Sequence, residues 1–405
     1  MKSDYCPECG PAEVSHFFSK FNTAGAMVFE FLTKPLKPIM RFFVSRLSNH
    51  MDTLSYAIFH LLSYVKIIKL ADAPSPTKDT DRAKCMWQSA TERNIKVFEI
   101  WALGRPINVF LAKLPNGKKM IFEGLPRPGA DSPSLEWMDD KAIMKEKFRR
   151  AGFPVPKGEA CITLNCAKKA FNEIVKNGGM AVVKPTLGSR SRHTKIHIKT
   201  LKDLDSAFKI AKQISLLVSI EEELPGPVYR VVLIGGKVGG ILRRDPPIVV
   251  GDGRMTIQEL VMNANRDPRR HGHIFHEIPI NFEFEEALKA ENLTKNSVPE
   301  SGREVIVGTK IGRSQGGTNT DVTDELHLEN RKLFTDIARF LGDPLVGIDF
   351  IIKDISKPWR SQLPCGTIEL NSVPFLDLHI YPFEGKVRNL SAMLWNEVLA
   401  KENNL

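Results

Sequence analysis

The stretch TIELNSVP, residues 367–374, constrains the fold of this chain more than any other. Thr367, Glu369 and Asn371 alternate with Ile368 and Leu370. That period of two belongs to a strand with one polar and one apolar face. A carboxylate and an amide two residues apart then point into the same space. Ligation of a hard cation explains the pattern, and so does a solvent-facing sheet edge. Upstream, PLVGIDFII sets Asp349 among apolar neighbours in a second strand. The segment KDISKPWRSQLPCG between them is long enough for the two strands to pair antiparallel, which brings Asp349, Glu369 and Asn371 together. Two carboxylates and an amide oxygen suit Mg²⁺, which keeps several waters and bridges to phosphate oxygens. Mn²⁺ is the alternative occupant.

A magnesium site implies phosphate, and phosphate calls for cations. VVKPTLGSRSR supplies Lys184 at the end of an apolar strand, followed by a donor-rich loop from Gly188 to Arg192. Backbone N–H groups of such a loop can close over phosphate oxygens.

Composition narrows the partners. The 405 residues are 42% hydrophobic and 26% charged, ordinary globular values that leave ample material for a core. A net charge of +10 suits anionic partners: nucleotides, nucleic acid or a membrane surface. No RNA-recognition signature or helix-turn-helix pattern supports nucleic acid. The start MKSDYCPECG has no basic region leading into an apolar run, so it does not read as a signal peptide. The apolar window Thr53 to Val65 is far short of the roughly 20 residues of a membrane-spanning helix. Six cysteines in so long a chain do not read as a disulfide framework, and a reducing cytoplasm is the default location. CPEC has the spacing of a metal knuckle, with Cys6 and Cys9 as two of the four ligands that zinc needs. His16 and Cys85 are the nearest further candidates, and a pair of free thiols on a terminal segment is the other reading.

Residues 1–75 are helical in tone, interleave apolar with basic residues, and are interrupted at Pro35 to Pro38. They read either as an amphipathic segment for a membrane surface or partner, centred on 17–70, or as a helical hairpin packed on the main body. A polar linker follows at 71–82. From about 83 the pattern becomes α/β. INVFLAKL and KKMIFEGL form a hairpin across Pro115-Asn116-Gly117. MDDKAIMKEKFRRAG predicts an amphipathic helix stopped by Gly152. VPKGEACIT, MAVVKP, KIHIKT and LLVSIEE predict strands. A helix lies between the last two, with Leu201, Leu204, Phe208, Ala211 and Ile214 on one face. YRVVLIGGKVGGILRR predicts a hairpin turning at Gly235-Gly236, and ELHLENRKLFTDIARFLG a helix ending at Gly342.

With these residues in view, the chain resembles the ATP-grasp amide ligases, above all the ATP-grasp domain of cyanophycin synthetase, and more distantly glutathione synthetase and D-alanine–D-alanine ligase. The resemblance covers roughly 138–395. It rests on MDDKAIMKEKFRRAGFPVPKG, VVKPTLGS, LPGPVYRVVLIGGKV, LRRDPPIVVGDGRMTIQELV, NRDPRR, GGTNTDVTDELH, GIDFIIKDIS, IELNSVP and EGKVRN, in that order. It implies an α/β ATP-grasp fold: a helical extension over 1–75, a small pre-grasp α/β domain over 83–135, and an ATP-grasp domain over 136–405 with a lid lobe near 153–224. It also implies ATP and Mg²⁺, small amino-acid or peptide substrates, and a homo-oligomer.

By the same resemblance, Lys141 and Lys184 match the two ATP-phosphate lysines, with Gly188 and Ser189 in the loop beyond. Glu221, Glu222, Glu223 and Leu224 match the segment lining the adenine, with Glu221 facing its amino group. Asp349, Glu369 and Asn371 match the magnesium ligands. Arg230, Arg243 and Arg244 fall where the family places catalytic cations near substrate or phosphate, and Asp377 and His379 fall at the substrate pocket. The implied activity is ATP-dependent joining of a carboxylate to an amine through an acyl phosphate.

The departures are specific. Val228 stands where the family has an acid for the ribose hydroxyls. Ser191 and His193 replace loop glycines, and Gly312 replaces an asparagine. Pro374-Phe375-Leu376-Asp377 replaces a Gly-Phe-Arg stretch. The resemblance and the sequence end together, so the expectation is a chain without the second, Mur-ligase-like domain of cyanophycin synthetase. These departures leave a second reading open, an ATP-binding module weakened in catalysis and acting through its N-terminal segment. His271, His273 and His276 read as solvated loop residues, and Cys365 as a small apolar filler.

Overall fold

The computed structural model describes residues 53–75, 80–128, 136–176, 178–186 and 192–403, together with Cys6, Glu8, 15–17 and 19–21. Cys9, Gly188, Ser189 and Ser191 lie outside the described residues.

The first sheet has strand order β1 (Ile68–Ala71), β2 (Lys96–Ala102), β3 (Arg105–Lys113), β4 (Lys119–Glu123), all antiparallel. The β3–β4 hairpin closes Lys113 on Lys119, with Gly117 at φ +85° where a side chain would be strained. β1 comes from the segment whose helical tone gave no strand signal. Four residues, IKLA, are too few to show a period, and pairing with β2 is what makes them a strand. The helix over 53–64 packs Tyr56 and Phe59 against Ile100 and Leu111 of this sheet. Leu54, Ile58 and Leu61 of the same helix are exposed.

A second sheet, in the stretch expected to form the lid lobe, has the order β5 (Gly158–Cys161), β8 (Val218–Glu222), β6 (Ala181–Pro185), β7 (Lys195–Ile198). Helices Leu164–Lys176 and Leu201–Ala211 cover it, burying Phe171, Ile174, Leu204 and Phe208. Leu201 is exposed at the start of its helix. Cys161 and Cys166 form a disulfide where β5 gives way to the first of these helices. The cysteine count gave no sign of it, because a single local pair depends on how the chain turns there.

The central sheet runs β13 (Thr318–Asp321), β10 (Lys237–Asp245), β9 (Val228–Ile234), β14 (Leu345–Ile351), β15 (Gly366–Asn371). β9 and β10 turn at Gly235 and Gly236, both at positive φ, as a two-residue hairpin turn requires. Helix Leu328–Leu341 packs on one face of the sheet and stops at Gly342, φ +64°. Helix Lys141–Arg150 also joins this core, through Met144 and Phe148. Between β10 and β13 a small unit pairs β11 (Ile248–Val250) with β12 (Glu304–Ile306) under helices Ile257–Ala264 and Phe282–Ala290. The C-terminal helix Leu390–Asn403 buries Trp395 against the first sheet, joining it to the central one. Among the described residues no helix is long and apolar enough to cross a membrane.

Candidate active site

Strand register assembles the centre of the site. Arg230 of β9, Asp349 of β14 and Glu369 of β15 occupy one position across three adjacent strands. Residues directly opposed in antiparallel strands share a face. Arg230 donates from Nε and Nη2 to the two oxygens of Asp349, each at 2.8 Å, and both residues are buried. Burial opposes the charge on Asp349, yet Arg230 outweighs it and holds the carboxyl below its ordinary pKa. Burial likewise works against the charge on Arg230, and Asp349 more than offsets it. Glu369 is partly exposed and lies 3.5 Å from Lys141 Nζ. Asn371 follows on the same face, its buried Nδ2 without a hydrogen-bond partner among the described residues. The donor set fits a hard cation: two opposed carboxylates with an amide one strand repeat away.

A second cluster sits where the lid meets helix Lys141–Arg150. Asp140 caps that helix, accepting from the N–H groups of Ala142 and Ile143. Lys141 and Lys145, one turn apart, are both buried beside Met144 and Phe148. Lys145 pairs with Glu221 Oε1, and Lys184 of β6 lies 2.9 Å from Glu221 Oε2. Ser219 Oγ donates to the same carboxylate. Burial works against the charge on Glu221, but Lys145 and Lys184 together hold it far below the carboxylate range. Burial pushes Lys145 down to about 7 against the pull of Glu221. At Lys184 burial works against the charge, but Glu221 and, after it, Glu369 together outweigh it, so its pKa is raised. A cleft of about 560 Å³ opens beside this cluster, lined by Ala142, Lys145, Gly158, Ser219 and Glu221 among others. Asp349, Glu369 and Asn371 are not among its lining residues.

The segment after Glu221 fastens the lid. Glu222 accepts from the Lys157 N–H at 2.7 Å. Glu223 accepts from the His197 N–H at 2.9 Å and meets His197 Nδ1 at 2.7 Å. Leu224 is buried.

On β10, alternation separates two neighbours. Arg244 lies opposite Val228, on the face of Arg230, and donates to the Ile311 carbonyl at 2.9 Å. Burial first, then Arg230, lowers its pKa to about 10. Arg243 lies opposite Tyr229 on the other face and pairs with Asp245 at 2.7 Å. It therefore does not join the Arg230 group.

No protein-family model matches the chain. Cyanophycin synthetase of Trichormus variabilis is 31% identical over 273 residues, 67% of this chain and 30% of that protein. Glutathione biosynthesis bifunctional protein GshAB of Enterococcus faecalis is 34% identical over 63% of this chain and 34% of that protein. Among solved structures, a bifunctional glutathione synthetase from Pasteurella multocida matches at 23% identity with a TM-score of 0.57, over 81% of this chain and 44% of that one. The chain belongs to the ATP-grasp amide-ligase family. It spans about a third of the length of these curated relatives.

For an ATP-grasp protein, the remaining candidates fall in unexpected places. Asp377 is fully buried, and its Oδ2 accepts from Thr80 Oγ1 at 2.7 Å and from the Asp81 N–H at 2.9 Å. One oxygen of the carboxylate thus anchors the linker, while Oδ1 has no partner among the described residues. Arg388 donates to Asp321 and Asp324. His379 is fully buried, and neither ring nitrogen has a hydrogen-bond partner among the described residues. Burial, then Arg230 and Arg388, pushes its pKa down to about 3, so the ring is neutral. Cys365 is buried in the central core, which pushes its thiol up to about 11. Lys145 escaped the sequence reading. Its signal was there, since it falls one helical turn after Lys141 on a face otherwise built of Met144 and Phe148.

Proposed function

We propose that this chain is an ATP-dependent carboxylate–amine ligase that forms an amide or peptide bond through an acyl phosphate. The observation that carries the reading is the convergence of Lys141 and Arg230 on the opposed carboxylates of Glu369 and Asp349. That arrangement suits a charged phosphoryl group and its cation. Asp349, Glu369 and Asn371 would hold Mg²⁺, or Mn²⁺ in its place. When bound, the ion neutralises charge on the phosphate oxygens. Lys141 and Lys184 bind phosphate oxygens, and Lys184 exchanges Glu221 for them. Arg230, kept in one orientation by Asp349, presents its cation to the phosphoryl oxygens or the substrate carboxylate.

In the proposed reaction a substrate carboxylate oxygen forms a bond to the γ-phosphorus as the bond to ADP breaks. The amine nitrogen then attacks the acyl carbon, phosphate leaves, and the nitrogen loses a proton. Incubation of the chain with ATP, Mg²⁺ and panels of amino acids and short peptides tests this. The expected result is phosphate release dependent on an acid and an amine together, with a product heavier than the acid by the amine less water.

Within this reading the amine donor is a basic or neutral amino acid rather than aspartate. Asp377, standing where the resembled enzymes carry the arginine of a Gly-Phe-Arg stretch, supports it. Like charges in a poorly solvated pocket disfavour a second carboxylate. Comparing aspartate, alanine, lysine and arginine as donors decides the point, and a preference for aspartate overturns it. A homo-oligomer, a cytoplasmic location and no nucleic-acid partner belong to the same proposal.

A second reading is an ATP-binding module weakened in catalysis. Val228 at the ribose position favours it, as do Leu54, Ile58 and Leu61, exposed on the helix over 53–64 as a contact for a membrane surface or a partner. ATP binding by calorimetry without phosphate release for any acid–amine pair would support this reading over ligation.

A further inference from the structure

We propose that Cys6, His16 and His193 form a zinc site that fastens the start of the chain to the lid. Their ligand atoms, one thiol sulfur and two imidazole nitrogens, all lie within 4.8 Å of one another. Cys6 Sγ is 3.7 Å from His193 Nε2. Zinc bonds of about 2.3 Å to sulfur and about 2.0 Å to nitrogen, at the tetrahedral angle, place two such atoms about 3.5 Å apart. The His16 and His193 rings meet edge to face, centroids 5.0 Å apart.

His193 is oriented for the role. It is fully buried, and its Nδ1 lies 2.9 Å from the Ile210 carbonyl oxygen. A carbonyl oxygen only accepts, so the ring proton resides on Nδ1. That leaves the Nε2 lone pair facing Cys6. A metal-bound histidine is held in the same way, by donation of its other ring N–H to a carbonyl or carboxylate.

The surroundings tie the two segments a second time. Glu8 Oε1 lies 2.6 Å from Lys195 Nζ on β7. A simple S–H···N hydrogen bond accounts for Cys6 and His193 but does not call for a second imidazole beside them. Thiolate with imidazole is a donor set for zinc rather than for Mg²⁺ or Ca²⁺. Cys9, three residues from Cys6, lies outside the described residues and is not counted among the ligands. None of the three residues belongs to the proposed ligase site, so this inference stands or falls independently.

The test uses the full chain, purified under reducing conditions without chelator. Elemental analysis should find about one zinc per chain. After metal removal, titration with Co²⁺ should produce a thiolate-to-metal charge-transfer band and the intense ligand-field bands of tetrahedral cobalt. Cys6→Ser, a change at a partly exposed residue, should abolish the charge-transfer band. His16→Ala and His193→Gln should each weaken Zn²⁺ binding by at least about tenfold, with circular dichroism to verify that both variants fold. Zinc at background level with no charge-transfer band overturns the proposal and leaves a thiol–imidazole hydrogen bond only. A band of unchanged strength in Cys6→Ser overturns it as well.

Discussion

Arg230 and Asp349, 119 positions apart in sequence, are joined by two parallel hydrogen bonds of 2.8 Å between neighbouring strands of the central sheet. This pair makes the two proposed metal carboxylates unequal. Asp349 is buried under a guanidinium, while Glu369 is partly exposed beside an ammonium at 3.5 Å.

Asp349→Asn and Glu369→Gln should therefore both abolish acid- and amine-dependent phosphate release but differ in stability. Asp349→Asn leaves Arg230 buried without its counter-charge, a loss of about 3–5 kcal/mol. Glu369→Gln weakens a partly exposed pair and should cost about 1 kcal/mol or less. Urea melts beside the phosphate assay measure both effects. Wild-type turnover in either variant would remove that residue from the proposed site.

Lys145 makes stability depend on pH. Its pKa is about 7 in the folded chain against 10.5 for a free lysine. Between those values the unfolded chain binds a proton that the folded chain sheds, so this group makes stability rise with pH across that window. The slope from one proton is at most about 1.4 kcal/mol per pH unit. Lys145→Met should remove it. Urea melts at several pH values from 7 to 9 should show wild type gaining on the variant as pH rises, and parallel curves would refute the assignment.

Val228 is half-buried opposite Arg244, on the face that carries Arg230. A carboxylate there should grip the ribose hydroxyls. A charge-assisted hydrogen bond contributes about 1.5–3 kcal/mol, or about 10- to 150-fold in affinity. Val228→Glu should tighten ATP binding by a factor in that range in calorimetry. Unchanged affinity would mean that the ribose is held elsewhere.

Gly240 gives His379 its place. A Cβ at this position would lie 2.6 Å from His379 Nδ1 and 3.1 Å from Cε1. Gly240→Ala should destabilise the fold by about 1–3 kcal/mol through overpacking. In a His379→Ala background the clash partner is gone, so the penalty should largely vanish. A double-mutant cycle by thermal melting measures the difference, and an equal penalty in both backgrounds would place the strain elsewhere.

The sequence by itself determined the local elements and much of the site. The Gly235-Gly236 turn, the stop at Gly342, the strands bearing Asp349 and Glu369, and the pairing of those strands follow from periods of two and 3.6 and from glycine's freedom at positive φ. Tertiary structure decided which charges meet. Adjacent arginines on β10 must face opposite ways, but only the register with β9 shows that Arg244 joins Arg230 and Arg243 does not. Glu221, the expected adenine contact, lines the cleft and pairs with Lys145 and Lys184, brought to it by a helix and a strand remote in sequence. Asp377 looked like a substrate contact, and one of its oxygens anchors Thr80 and Asp81 nearly 300 residues away. A backbone period is written in neighbouring residues. The partner of a buried charge is set by strand register and by which surfaces pack, and both depend on residues far along the chain.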